Sequence, residues 1–249
     1  MAELYDRSRP SYPRALVDDV LEFADADGSS RALEVGAGTG KATVLFAERG
    51  LRVVALEPSA EMASLARRNC AQYANVTIEE SEFERWHPDD GPFRVVFSAT
   101  AWHWIAPDVR YVAARAALEP GGALAVFWTA PEWSACELGD AIGEVYTRNG
   151  RAGDPADPMN PTRRSEEEDW TTEIAGAAGF TGPEVRRHRW ESDYTTEEYL
   201  DLLGTHSACV VLEETARERL LGEIAGVIDA HGGAFRMNYL TRLCLARAS

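Results

Sequence analysis

Glu34 is followed by glycines at alternate positions, Gly36, Gly38 and Gly40, giving the pattern E-x-G-x-G-x-G between an apolar run and a helix-like stretch that starts at Lys41. Glycines so placed let the backbone turn sharply with no side chain in the way, and the intervening Ala37 adds only a methyl. A ligand can therefore lie against the main chain. A carboxylate at the rim of such a turn can hold an ammonium group. A second acid, Glu57, stands 21 residues after Gly36 at the end of the apolar run 51–56. A carboxylate at that distance can accept hydrogen bonds from both hydroxyls of a ribose. Pro58-Ser59 then turns the chain into a helix with Ser59 as its N-cap, and Met62 lies one turn in. Trp102-His103-Trp104 follows the apolar run 94–98 and the pair Ala99-Thr100. An imidazole there can act as a general base at neutral pH or serve as a pocket wall.

These residues need a scaffold that gathers them at one edge. Short apolar runs at 31–36, 51–57, 75–79, 93–98 and 122–128 alternate with helical patterns near 40–49, 59–72 and 106–118. That alternation predicts parallel β-α-β units and an open α/β sheet with helices on both faces, which binds ligands at the carboxyl ends of its strands. After Trp128 the pattern changes. A helix is expected over 133–149, and the proline-rich stretch 150–161 reads as a loop, a candidate lid or crossing segment. A further helix is expected to begin at Glu166-Glu167-Glu168-Asp169, followed by a strand over 183–193, helices over 196–203 and 213–231, and a last strand over 234–246.

The chain has 249 residues, 45% of them hydrophobic, with 25 Lys and Arg against 41 Asp and Glu for a formal charge of −16. Such a surface repels nucleic-acid backbones, so neither nucleic acid nor membrane is expected as a partner. No apolar run is long enough to span a bilayer and no secretory leader is visible. Cys70, Cys136, Cys209 and Cys244 are far apart in the sequence and form no metal-ligand spacing. They read as reduced thiols of a cytoplasmic protein, and no metal site is expected.

The cofactor class follows from the turn. A dinucleotide fingerprint, G-x-G-x-x-G, requires glycine where Lys41 stands, and a nicotinamide cofactor offers Glu34 no ammonium. An NAD(P)-dependent oxidoreductase is thus the weaker alternative, and a binding protein without transfer activity is a third. With Glu34, its glycines and Glu57 in this order, the chain resembles the class I S-adenosylmethionine-dependent methyltransferases. The resemblance implies a Rossmann-like, doubly wound seven-stranded sheet, mostly parallel with an antiparallel last strand. It implies S-adenosylmethionine as cofactor and S-adenosylhomocysteine as product. Glu34, Gly36, Ala37, Gly38 and Gly40 would meet the methionine end, Glu57 and Pro58 the ribose, and Met62 the adenine face. Glu82 and Phe83, in the acid-rich run after the third strand, would meet the adenine edge, and Ala99 and Thr100 would lie at the end of the fourth strand.

Two further motifs resemble a small-molecule subgroup that includes the trans-aconitate methyltransferases. One is A-x-H-W-I at 101–105, which carries His103. The other is Y-x-x-x-R-P-x-Y-P at 5–13, an arm held extended by two prolines, in which Tyr5, Arg9 and Tyr12 would fold over the cofactor near its carboxylate. Trp102, Trp104, Tyr5 and Tyr12 are candidate aromatic walls for a cationic sulfonium. Trp128, Trp133, Trp170, Thr205 and His206 are candidates for the acceptor side. The expected organisation is one domain over 1–249, made of an arm and first helix (1–30), a cofactor core (31–128), an acceptor-side insertion (129–210), and a last helix and strand (211–249). The expected acceptor is a small molecule, with a carboxylate, a hydroxyl and a carbon all open as the methylated group.

Overall fold

A computed structural model describes residues 2–87, 91–163 and 170–249. The core alternates as the apolar runs require: β1 (Arg31–Val35), α3 (Lys41–Ala47), β2 (Arg52–Leu56), α4 (Ala60–Asn69), β3 (Val76–Glu79), β4 (Phe93–Ala99), α5 (Pro107–Ala117) and β5 (Leu118–Pro131). Two helices precede it, α1 (Ala2–Ser8) and α2 (Arg14–Ala24). After it come α6 (Gly139–Arg148), α7 (Trp170–Gly176), β6 (Phe180–Thr195), α8 (Thr196–Gly204), α9 (Ser207–Val210), α10 (Glu214–Ala230) and β7 (Ala234–Ala248). The seven strands form one sheet in the order β3-β2-β1-β4-β5-β7-β6. β1 to β5 pair in parallel, while β7 runs antiparallel to both β5 and β6.

Strand alternation divides the core between the two faces of the sheet. Leu33, Val35, Val96 and Leu124 face one way and pack on Tyr111 and Ala114 of α5 and Ile174 of α7. Ala32, Val53, Phe97 and Ala125 face the other way, against Leu16 and Val20 of α2 and Phe46 of α3. β7 pairs with β5 only as far as Tyr239, opposite Pro131, whereas β6 follows β7 on to Ala234. This overhanging ribbon buries Tyr194, Phe235, Met237 and Tyr239 against α6, α8 and α10 as a third apolar cluster. A helical lobe thus stands over the strand ends where the site lies.

Two expectations change. The arm is helical over Ala2–Ser8 rather than extended throughout. Residues 2–8 hold no Gly or Pro, Glu3 and Arg7 suit the two ends of the helix dipole, and Pro10 disfavours helix only from Arg9 onward. The helix expected over 133–149 is split into a 3-10 turn, Trp133–Ala135, and α6. The loop over 150–161 is held by local bonds and brings Pro158 and Met159 into the cavity wall. Arg151 pairs with Asp154 at 2.8 Å, the Asn160 amide donates to the Arg151 carbonyl at 2.6 Å, and Met159 and Asn160 are buried. The helix start expected at 166–169 lies outside the described residues.

Candidate active site

Gly36, Gly38 and Gly40 all have positive φ, at 76°, 57° and 87°. They differ in what surrounds them. A Cβ on Gly36 would lie 2.4 Å from the Ala101 methyl, so this position needs both the conformation and the space. A Cβ on Gly38 would meet nothing within 4 Å. Gly40 starts α3, and a Cβ there would press on Cys70 Sγ at 3.1 Å. It therefore serves the packing of α3 on α4 and, unlike the other residues expected to meet the cofactor, does not line the cavity.

Glu57 braces the turn. Its Oε2 accepts from the Gly38 N–H at 2.8 Å and its Oε1 from the Ser59 N–H at 2.9 Å. Each carboxylate oxygen keeps a second lone pair for a ligand hydroxyl. Ser59 in turn caps α4 by accepting from the Met62 N–H at 3.4 Å. Glu34 is not at the rim of the turn but at its floor, with no exposure. The Thr43 hydroxyl donates to its Oε2 at 2.5 Å, and Oε1 has no hydrogen-bond partner. Burial, helped by the nearby Glu57 charge, raises the Glu34 carboxyl to about 8.

Across the cavity lies the arm. Tyr12 Oη and Thr100 Oγ1 share a hydrogen bond of 3.0 Å, and Thr100 holds φ of 58°, a strained conformation for a β-branched residue. Arg9 stacks over the Tyr5 ring at 4.9 Å and donates to the Thr205 hydroxyl at 2.8 Å and carbonyl at 3.1 Å. Both ends of the arm are tied down: Arg68 meets Glu3 at 3.2 Å on one side, and Arg7 meets Asp201 at 2.8 Å on the other.

Trp102-His103-Trp104 forms a 3-10 turn in which Trp102 points inward, buried against Tyr111 at 5.7 Å between centroids. It is core, not an aromatic wall. His103 and the 75% exposed Trp104 line the cavity mouth, their rings 4.8 Å apart. Glu82 reaches the cavity but pairs with Arg85 at 3.1 Å, and the Phe83 ring is buried in the core. Trp128 and Trp170 pack on each other in the core at 6.2 Å, and Trp133 joins the third cluster. None of these three lines the cavity, whereas Thr205 and His206 do.

These residues surround one cavity of about 980 Å³. That is the upper end of the roughly 300–1,000 Å³ typical of ligand sites, room for a large cofactor and a small second ligand. The turn fits an S-adenosyl cofactor in three respects: open space over Gly38, an unpartnered Glu34 oxygen, and a braced Glu57. Sequence reasoning missed Lys41, Thr129, Pro131, Met159, Leu202 and Tyr239 in the wall. Of these, Thr129 and Pro131 could have been found from their place at a strand's carboxyl end. Among the described residues, no group of three or more His, Cys, Asp or Glu is placed to hold a metal, and no helix is long and apolar enough to cross a membrane.

Comparison with known proteins agrees with this geometry. A family described as methyltransferase domain matches residues 32–122. An uncharacterized methyltransferase of Mycobacterium tuberculosis is 32% identical over 244 residues, covering 95% of this chain and 87% of that protein. Among solved structures, a protein of Anaeromyxobacter dehalogenans assigned as a type II methyltransferase superposes with a TM-score of 0.70 at 24% identity, over 96% of this chain and 97% of that one. A phosphoethanolamine N-methyltransferase of Haemonchus contortus, solved with S-adenosylhomocysteine, reaches 0.56 at 16% identity, over 99% of this chain and 56% of that one. Kinship over nearly the whole chain, on this sheet and with this turn, identifies the protein as a member of the class I S-adenosylmethionine-dependent methyltransferases.

Proposed function

We propose that the protein moves a methyl group from S-adenosylmethionine to a small acceptor, with the donor on the glycine turn and the acceptor under the helical lobe. The observation that carries this reading is the single cavity lined both by the turn and by Thr205, His206 and Tyr239 from the second half of the chain. All four spans, 1–30, 31–128, 129–210 and 211–249, contribute to its wall, which supports their working as one domain. The motifs around Arg9 and His103 support a place near the trans-aconitate methyltransferases.

Bound there, the cofactor supplies an activated methyl on a sulfonium. The protein's part is mainly positioning, which needs the attacking atom held at about 3–3.5 Å and in line. Glu34 receives the ammonium of the donor, Gly36, Ala37 and Gly38 give it backbone to lie on, and Glu57 and Pro58 hold the ribose. Met62, Glu82 and Phe83 border the adenine end. Tyr5, Tyr12, Ala99 and Thr100 close the cavity over the reacting centre. Two histidines line the wall, and burial lowers His206 to about 3, so it is an uncharged imidazole at neutral pH and a poor base. His103 is exposed at the mouth and is the imidazole suited to take a proton from an acceptor hydroxyl.

Calorimetry with S-adenosylhomocysteine tests the reading, and folded protein that binds neither it nor S-adenosylmethionine would refute it. Glu57→Ala is expected to weaken S-adenosylhomocysteine binding by roughly tenfold or more, since it removes the ribose acceptor and frees the Gly38 N–H. Unchanged affinity would overturn the ribose assignment. His103→Ala is expected to lower kcat by about 10²–10⁴ with little change in cofactor affinity. A loss confined to affinity would make it a wall residue.

A further inference from the structure

β6 is the last strand on its side of the sheet. It pairs with β7 in unbroken register from Glu184 to Thr195, and no strand among the described residues pairs its other edge. An irregularity between Thr181 and Glu184 stops this regular run at one end, and α8 begins at Thr196 at the other. Between those stops, alternate N–H and C=O groups of β6 point outward, the arrangement that accepts a further strand.

Side chains alternate between the two faces along this edge. On one face Arg186 meets Asp19 at 3.0 Å and Glu22 at 3.1 Å, both of α2, so its charge is matched within the chain. On the other face stand Arg187, Arg189, Glu191 and Asp193, all exposed. Arg189 meets Glu132 at 3.0 Å, while Glu191 and Asp193 meet Arg236 of β7 at 3.2 and 2.7 Å. These ties hold three of the four side chains in place, and each carboxylate has lone pairs left for a second cation. Arg187 forms no ion pair among the described residues. Along the strand the stripe reads two cations, then two anions. Laid antiparallel on itself about Trp190, it sets Arg187 opposite Asp193 and Arg189 opposite Glu191, so every charge of the stripe faces its opposite. Moving the centre by one residue either way sets Arg189 or Glu191 against its own copy. Trp190 also lies near the middle of the regular run, so residues 185–195 of each copy can pair.

We propose that the outer edge of β6 pairs antiparallel with β6 of a second copy of this chain, about a twofold axis that sets Trp190 opposite Trp190. Each copy carries a charge of −16, which opposes association at long range, so the contact depends on this local match. No residue of β6 lines the cavity, so the pairing and the methyl-transfer reading stand or fall separately.

The test is sedimentation of the full chain from about 1 to 100 μM, the range in which a micromolar pair passes from monomer to dimer. Wild type is expected to approach twice the mass of the chain. Arg187→Glu with Arg189→Glu makes the stripe wholly acidic, and Glu191→Arg with Asp193→Arg makes it wholly basic. Each double variant alone is expected to raise the dimer dissociation constant at least about tenfold, because like charges then face each other. The basic variant has the smaller net negative charge, so its dissociation does not come from overall repulsion. Mixed in equal amounts, the two are expected to form a heterodimer, since the acidic stripe then faces the basic one. Arg187→Glu alone breaks no ion pair among the described residues, and serves in place of any double variant that lacks a cooperative thermal melt. It is expected to weaken the dimer in the same direction. A wild type that stays monomeric at the highest concentration overturns the proposal and shows charges that only blunt the edge. A dimer that survives every folded variant, or folded double variants that fail to pair when mixed, also overturns it.

Discussion

Gly38→Val is expected to raise the dissociation constant for S-adenosylhomocysteine by about 100-fold or more, the largest single-residue effect on the cofactor side. Two physical terms add. Gly38 holds φ of 57°, in the left-handed region, where a residue with a Cβ costs roughly 1–2 kcal/mol. That term lowers stability and is read as a fall of several degrees in the melting temperature. The second term acts on the ligand alone. A Cβ at Gly38 meets no protein atom within 4 Å, so valine's methyls stand in the open cavity where the cofactor must pass against the backbone. A hundredfold loss corresponds to about 2.7 kcal/mol, a reasonable cost for a blocked van der Waals surface and a displaced Gly38 N–H. Gly40→Ala provides the contrast. It crowds Cys70 and Ala66 of α4 rather than the cavity, so it should lower stability and leave the affinity of the remaining folded protein nearly unchanged. Calorimetry and thermal melts on both variants separate the terms. Folded Gly38→Val protein with wild-type affinity would show that no ligand lies on this turn.

The cofactor half was legible because its signals are local. A buried parallel strand shows as a continuous apolar run, and the turn and Glu57 stand at the ends of such runs. The order of elements from β1 to β5 follows directly, and Glu34, Gly36, Gly38 and Glu57 meet at one edge of the sheet. Depth was not legible. Nothing in the pattern E-x-G-x-G-x-G says whether the acid lies at the rim or on the floor, since that depends on Thr43 of α3 closing over it. Trp102 and His103 show a related limit. In a 3-10 turn successive residues point about 120° apart, so one side chain enters the core while the next two face the cavity. Side-chain types alone do not reveal which.

The acceptor side was less legible because its wall is assembled from distant segments. Arg9, Met159, Thr205 and Tyr239 are far apart in sequence and meet because β6 and β7 overhang the sheet and carry α8 across to the arm. No periodicity encodes that meeting. The same reason explains why Trp128 and Trp170, conspicuous by type, are core residues, while Thr205, inconspicuous by type, anchors the one cavity arginine that faces no carboxylate among the described residues.

Glu34 makes cofactor binding pH-dependent in a direction that can be worked out. Its carboxyl is raised to about 8, so in the free protein at neutral pH it is mostly protonated. A protonated acid cannot pair with an ammonium, so binding must first expel the proton. Below pH 8 the affinity for S-adenosylhomocysteine should fall roughly tenfold per unit, and near pH 7 binding should release about one proton, measurable by calorimetry in buffers of different ionisation enthalpy. At higher pH the affinity should fall again as the ligand's amine deprotonates. The stability of the free protein moves oppositely. A carboxyl raised in the folded state contributes stability below its unfolded value of 4.5 and loses it as pH rises to about 8. The empty protein should therefore lose stability over that interval and recover it when ligand is added. Glu34→Gln removes the titrating group, so the acid limb of the affinity profile and the released proton should both disappear, with weak binding at every pH. An acid limb of the same slope in Glu34→Gln would assign the proton to another group, and a flat wild-type profile from pH 6 to 8 would remove Glu34 from the ammonium site altogether.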